Sequence, residues 1–141
     1  MIHPNLPDQL LADCHHFGWL HVSAVLLNRN TAVPWFILVP QTQMRDVLDL
    51  SDDQRDLILA ECAAVSRFIK RHLGFDKVNF AGLGNVVSVM HLHVIGRHPD
   101  DPCWPQPVWG NLPQTEPYPL HQLREWQLGL VKMAGLTPAE L

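Results

Sequence analysis

Val87-Ser88-Val89-Met90-His91-Leu92-His93-Val94-Ile95-Gly96-Arg97 alternates in the way a β-strand does. A strand repeats every two residues, so His91 and His93 leave the same face, with Cα atoms roughly 6.5–7 Å apart. Two imidazoles so placed can hold one small anion, one metal ion or one reacting phosphate. The chemistry of this chain is therefore expected on that face.

The strand reading covers residues 86–96. Ahead of it Gly82-Leu83-Gly84-Asn85 reads as a tight turn, and residues 77–82 as the strand leading into it. Further upstream lies the clearest helix. Ser51 is placed to cap it, with Gln54 three residues on, and Asp52 and Asp53 fall where the helix dipole favours negative charge. Leu57, Ile58, Val65, Phe68, Ile69 and Leu73 recur at helical spacing, a stripe that reads as core and not as a cofactor site. Lys70, Arg71 and His72 close the last turn and Gly74 is the expected stop, giving a helix over about 52–73. Before it, residues 21–28 and 34–40 read as an antiparallel pair joined through the polar turn Asn28-Arg29-Asn30-Thr31. Residues 1–20 mix apolar and turn signals, compatible with a short helix over 6–12. Beyond residue 98 comes a loop rich in proline and tryptophan, then a short helix over about 119–134. The order predicts an α+β fold: an antiparallel sheet of about five strands with one long helix and a short C-terminal helix. It also predicts a single domain over 1–141, with its core at about 20–98 and a tail at 99–141.

The totals narrow the function. The chain has 141 residues, 47% hydrophobic and 17% charged, which is globular and not disordered. A net charge of −4 argues against a nucleic acid polymer as partner, since that needs a basic surface, but leaves room for a small anion in a local site. Apolar runs such as Phe36-Ile37-Leu38-Val39 are too short to cross a membrane, and no signal peptide is read at the N-terminus. Three cysteines, Cys14, Cys62 and Cys103, lack paired spacing. They fit a reducing cytoplasm better than a disulfide framework or a cysteine-rich zinc site.

The histidine pair gains meaning from its surroundings: Val94-Ile95-Gly96-Arg97 after it, Asn85 six residues before His91, Leu27-Asn28-Arg29 closing one strand, and Val33-Pro34-Trp35-Phe36-Ile37-Leu38-Val39-Pro40 in the next. With these in register, the chain resembles the histidine triad family of nucleotide hydrolases and transferases, and most of all the branch grouped with diadenosine polyphosphate hydrolases. The resemblance runs over residues 26–97 and extends to the tail at 102–110. The family signature has three histidines alternating with apolar residues. Here His91 matches the middle one and His93 the last, while Val89 stands where the first should be.

The resemblance implies a mechanism and a set of roles. His91 attacks the α-phosphorus of a nucleotide ester, anhydride or amidate, and water then releases the nucleoside monophosphate. The attacking ring gives its other proton to the backbone carbonyl of Val89, and His93 bonds a phosphate or leaving-group oxygen. Asn28 matches the position facing the ribose hydroxyls. Asn85 and Asn79 match amides near the phosphates, and Arg97 would help neutralise a polyphosphate. Val86 replaces a hydroxyl residue common in the family. No cofactor is implied, and family members usually pair as homodimers.

Other features read more plainly. Trp104 and Trp109 favour packing over covering the site, and His15-His16 are expected at the surface. Two rivals remain: a nucleotide-binding protein with weak or no turnover, and a metal site built on His91 and His93, for which two ligands are too few and His98 is poorly placed to add a third.

Overall fold

A computed structural model describes residues 6–141. Helix α1 (Asp8–Asp13) leads into strand β1 (Cys14–Trp19), and β2 (Ser23–Asn28) and β3 (Trp35–Pro40) follow. A 3-10 turn at Val47–Asp49 precedes α2 (Asp52–Arg67), which runs on as a turn of π-helix through Phe68–His72. Then come β4 (Lys77–Gly82), β5 (Leu92–Arg97), α3 (Leu120–Ala134) and the short β6 (Thr137–Pro138). The strands form one sheet in the order β4-β5-β3-β2-β1-β6, and every neighbouring pair is antiparallel.

The sheet therefore has six strands where about five were expected. The additional long strand is β1. Its sequence Cys-His-His-Phe-Gly-Trp lacks the β-branched run of a typical strand, and Gly18 looks like a turn. In fact the register shifts between His16 and Gly18, a bulge that lets an irregular segment stay paired with β2. Gly18 has φ 145°, and a side chain there would fall on the Thr137 carbonyl of β6. His15 and His16 are consequently half-buried and not at the surface.

The long helix follows its sequence signals. Ser51 Oγ accepts the backbone N–H of Gln54 at 3.3 Å, and the helical path ends at His72, just before Gly74 turns left-handed with φ 81°. It packs with α3 on one face of the sheet, around Phe17, Leu27, Phe36, Phe68, Leu92 and Val94. The other face buries Ala24, Leu26, Trp35, Ile37 and Ile95 beneath Leu10 of α1 and Cys103 and Val108 of the tail. Both faces of β2 and β3 are thus covered, which is why those strands read as continuous apolar runs and not as alternating ones. Among the described residues, no helix is long and apolar enough to cross a membrane.

Candidate active site

The histidine strand is shorter than its alternation suggested. Strand β5 begins at Leu92, so His91 sits one residue before it, at the end of the irregular segment after β4. The side-chain alternation nonetheless holds. Met90, Leu92 and Val94 join the helix-covered core, whereas His93 and Ile95 face the tail side. The two imidazoles lie side by side with ring centroids 5.2 Å apart, and both are nearly buried.

Each ring is held by one specific hydrogen bond. His91 Nδ1 lies 2.7 Å from the carbonyl oxygen of Val89. A carbonyl can only accept, so Nδ1 carries the proton and the neutral ring keeps a lone pair on Nε2. His93 is held the opposite way. The indole Nε1–H of Trp35, on the neighbouring strand β3, donates to His93 Nδ1 at 2.9 Å. An indole can only donate, so His93 carries its proton on Nε2. Burial, and then electrostatic repulsion from a second titratable ring beside it, His91, pull the His93 pKa down to about 4, which keeps His93 neutral near pH 7. One ring thus presents a nucleophilic nitrogen and the other a hydrogen-bond donor.

The pair opens onto a cavity of about 630 Å³ whose walls include Asn28, Trp35, Asn85, Trp109 and, from α1, Gln9 and Asp13. Asn28 ends β2, and its Oδ1 accepts the backbone N–H of Asn30 at 2.9 Å, a turn that fixes the side chain at the cavity wall. Asn85 lies in the exposed loop between β4 and β5, and Val86 beside it is 93% exposed. Trp109 packs edge-on to both His93 and Trp35, with centroids 4.9 and 5.5 Å away. It is therefore both a packing anchor and part of the site. Cys14 also lines the cavity, but burial, and then Asp13, push its thiol up to about 12, so it stays protonated and unreactive.

Four of the six residues singled out in the sequence, His91, His93, Asn28 and Asn85, meet at this cavity. Arg97 and Asn79 do not line it. Arg97 follows His93 on the same face but is fully buried. Its guanidinium pairs with Asp101 at 2.7 Å and donates to Asn79 Oδ1 at 2.8 Å and to the Gln106 carbonyl at 2.8 Å. Its donors are committed to holding the tail, and Asn79 is bound in the same network, so neither joins the cavity that the other four line. Trp104 lies over this guanidinium, 5.5 Å from ring centroid to Cζ. The sequence reading assigned no role to Trp35, which it quoted only as part of a strand, or to Gln9 and Asp13, which lie outside any motif. Among the described residues, no group of three or more His, Cys, Asp or Glu side chains is arranged to hold a metal ion. His98 instead faces Asp100 at 3.5 Å.

Residues 12–100 match the family model for the HIT domain. This chain belongs to the HIT domain family. The family is one of nucleotide-binding hydrolases and transferases. The HIT fold is shared closely with solved histidine triad proteins. One from Marinobacter aquaeolei VT8 is 37% identical, with a TM-score of 0.84 over 94% of this chain and 98% of that one. Others from Bradyrhizobium japonicum and Sinorhizobium meliloti 1021 are each 32% identical, with a TM-score of 0.84 over 92% of this chain and 96% of theirs. No curated protein matches the chain.

Proposed function

We propose that this HIT protein cleaves nucleotide conjugates at the α-phosphate through a nucleotidyl-histidine intermediate on His91, and that dinucleoside polyphosphates are its substrate class. The observation that carries this reading is the hydrogen bond from His91 Nδ1 to the Val89 carbonyl, which puts the lone pair of the neutral ring on Nε2, beside an open cavity. His93 then bonds an oxygen on the phosphate through Nε2–H. Asn28 takes the ribose hydroxyls and Asn85 a phosphate oxygen, while Trp35 and Trp109 supply apolar walls. Neither Arg97 nor Asn79 has a part. The test is rapid quenching with a diadenosine polyphosphate followed by mass spectrometry, which should find one nucleoside monophosphate attached to His91. A mass increase on another residue, or none at all with turnover present, rejects the mechanism.

A second reading has its own observation. Val89 offers no polar group where the family has its first histidine, which fits a nucleotide binder with weak or no turnover. Binding of diadenosine polyphosphates and adenosine phosphoramidates, with no monophosphate released at high enzyme concentration, would select it.

We also propose that two copies associate through β4. It is an edge strand with a free row of backbone groups, and Phe80 on it and Leu59 on α2 are exposed large apolar side chains beside a groove of about 220 Å³. Sedimentation should give twice the monomer mass, and Phe80→Glu should halve it.

A further inference from the structure

The bond between Trp35 and His93 constrains which leaving groups the site can expel. The consequence rests on the function proposed above. Trp35 and His93 are 9% and 5% exposed, on adjacent strands, and lie diagonally across the β3–β5 ladder, where Trp35 pairs with Ile95 and His93 with Ile37. Trp109 packs edge-on against both rings, 5.5 Å from Trp35 and 4.9 Å from His93 between centroids. The indole N–H is therefore fixed against His93 Nδ1 at 2.9 Å. Putting a second proton on this ring would set two N–H groups head to head inside a packed wall, and both would lose their partner. His93 can donate a hydrogen bond from Nε2, but it cannot become an imidazolium that hands over a proton.

We propose that Trp35 is a positioning residue that locks His93 as a neutral donor, so that the site cleaves nucleotides joined through an anhydride oxygen and discriminates against those joined through nitrogen. The steps balance without an acid. The Nε2 lone pair of His91 forms the N–P bond while the bond from phosphorus to the bridging oxygen breaks. That oxygen keeps the electron pair, and the leaving group departs as a phosphate or carboxylate anion. His93 Nε2–H bonds the developing negative charge and keeps its proton. Water then attacks phosphorus, the N–P bond breaks with its pair returning to Nε2, and the proton from water passes to solvent. A phosphoramidate would have to release an amine nitrogen, a far more basic leaving group, which needs a proton that neither ring can supply. The Nδ1–H of His91 is bound to Val89, away from phosphorus, and the other proton near the pair is the one His93 retains.

Two measurements test this. Nitrogen-15 spectra of labelled protein report the tautomer of each ring directly, with no variant and no substrate. Nδ1 of His93 should be unprotonated in the wild type and become partly protonated in Trp35→Phe. A wild-type His93 protonated on Nδ1 overturns the lock, whatever the enzyme does. Rates on a diadenosine polyphosphate and on an adenosine phosphoramidate then test the consequence. The wild type should favour the anhydride by at least about a hundredfold, the scale of one missing general acid, and Trp35→Phe should shrink that ratio by about tenfold or more. Equal wild-type rates on both substrates, with His93 in the stated tautomer, overturn the leaving-group selectivity and leave the catalytic reading of His91 intact. No turnover of either substrate overturns that reading and the selectivity together, while the tautomer is still read.

Discussion

His91 binds the carbonyl of Val89 at 2.7 Å across a single intervening residue, so the backbone of the residue that departs from the family signature is the group that orients the His91 ring. The side chain of Val89 is 39% exposed and takes no part in that bond. Losing a histidine at this position thus removes one side chain from the site without disturbing the tautomer of the next.

His91→Ala should lower kcat on a diadenosine polyphosphate by a factor on the order of 10⁴ or more, the scale seen when a nucleophile is deleted. His91 precedes β5 and its ring closes no ladder, so the thermal transition should move by only a few degrees. A variant retaining a tenth of wild-type kcat would show that another group attacks phosphorus.

Val89→His should raise kcat by roughly fivefold, the equivalent of one added hydrogen bond of about 1 kcal/mol to a phosphate oxygen. The substitution acts on an exposed side chain and leaves the carbonyl where it is. An unchanged rate would mean that the contact is dispensable in this chain.

Arg97→Met should destabilise the protein by about 3–5 kcal/mol, because Asp101 would keep a buried charge without its partner. Both side chains are nearly inaccessible, at 1% and 4% exposure, and the same guanidinium also ties down Asn79 and the Gln106 carbonyl. Urea unfolding measures the loss. At temperatures where the variant is folded, KM should remain near the wild-type value. A large rise in KM with unchanged stability would return Arg97 to the substrate.

Acid should weaken the fold through His93. Its folded pKa, about 4, lies below the ordinary value of 6.5, so the unfolded chain binds the proton more readily. Stability therefore rises with pH across that interval. It is complete above about pH 6.5 and falls as the pH drops toward 4, by at most about 3 kcal/mol. His91 lies edge-on to His93, and Asp13 and Cys14 line the same cavity. Burial dominates the shift, with His91 second. Urea midpoints at pH 7 and pH 4.5 should differ, and His93→Gln should shrink the difference. Equal midpoints in the wild type would mean that the ring accepts a proton in the folded state.

The elements that the sequence made legible are those with a local physical signal. The α2 cap at Ser51 and the stop at Gly74 are decided within a few residues. The two-residue period places His91 and His93 on one face whatever the rest of the chain does. The apolar runs of β2 and β3 announce strands buried on both sides. The family could be read from the same residues, because the histidines, Asn28 and Asn85 keep a fixed order along the chain.

Strand β1 was illegible because its stability comes from pairing with β2 and β6 and from a bulge that no local propensity encodes. The placement of Arg97 was illegible for a related reason. Alternation puts it on the face of His91 and His93, yet the direction of its long side chain is set by Asp101 and by a tail that folds back over the sheet. The sequence by itself determined that two imidazoles stand together. Only the tertiary structure decided which nitrogen of each ring is free, because that depends on Trp35, 58 residues from His93 along the chain and one strand away in space. A period of two is a property of the local backbone, whereas a hydrogen bond between strands exists only once the sheet has fixed their register.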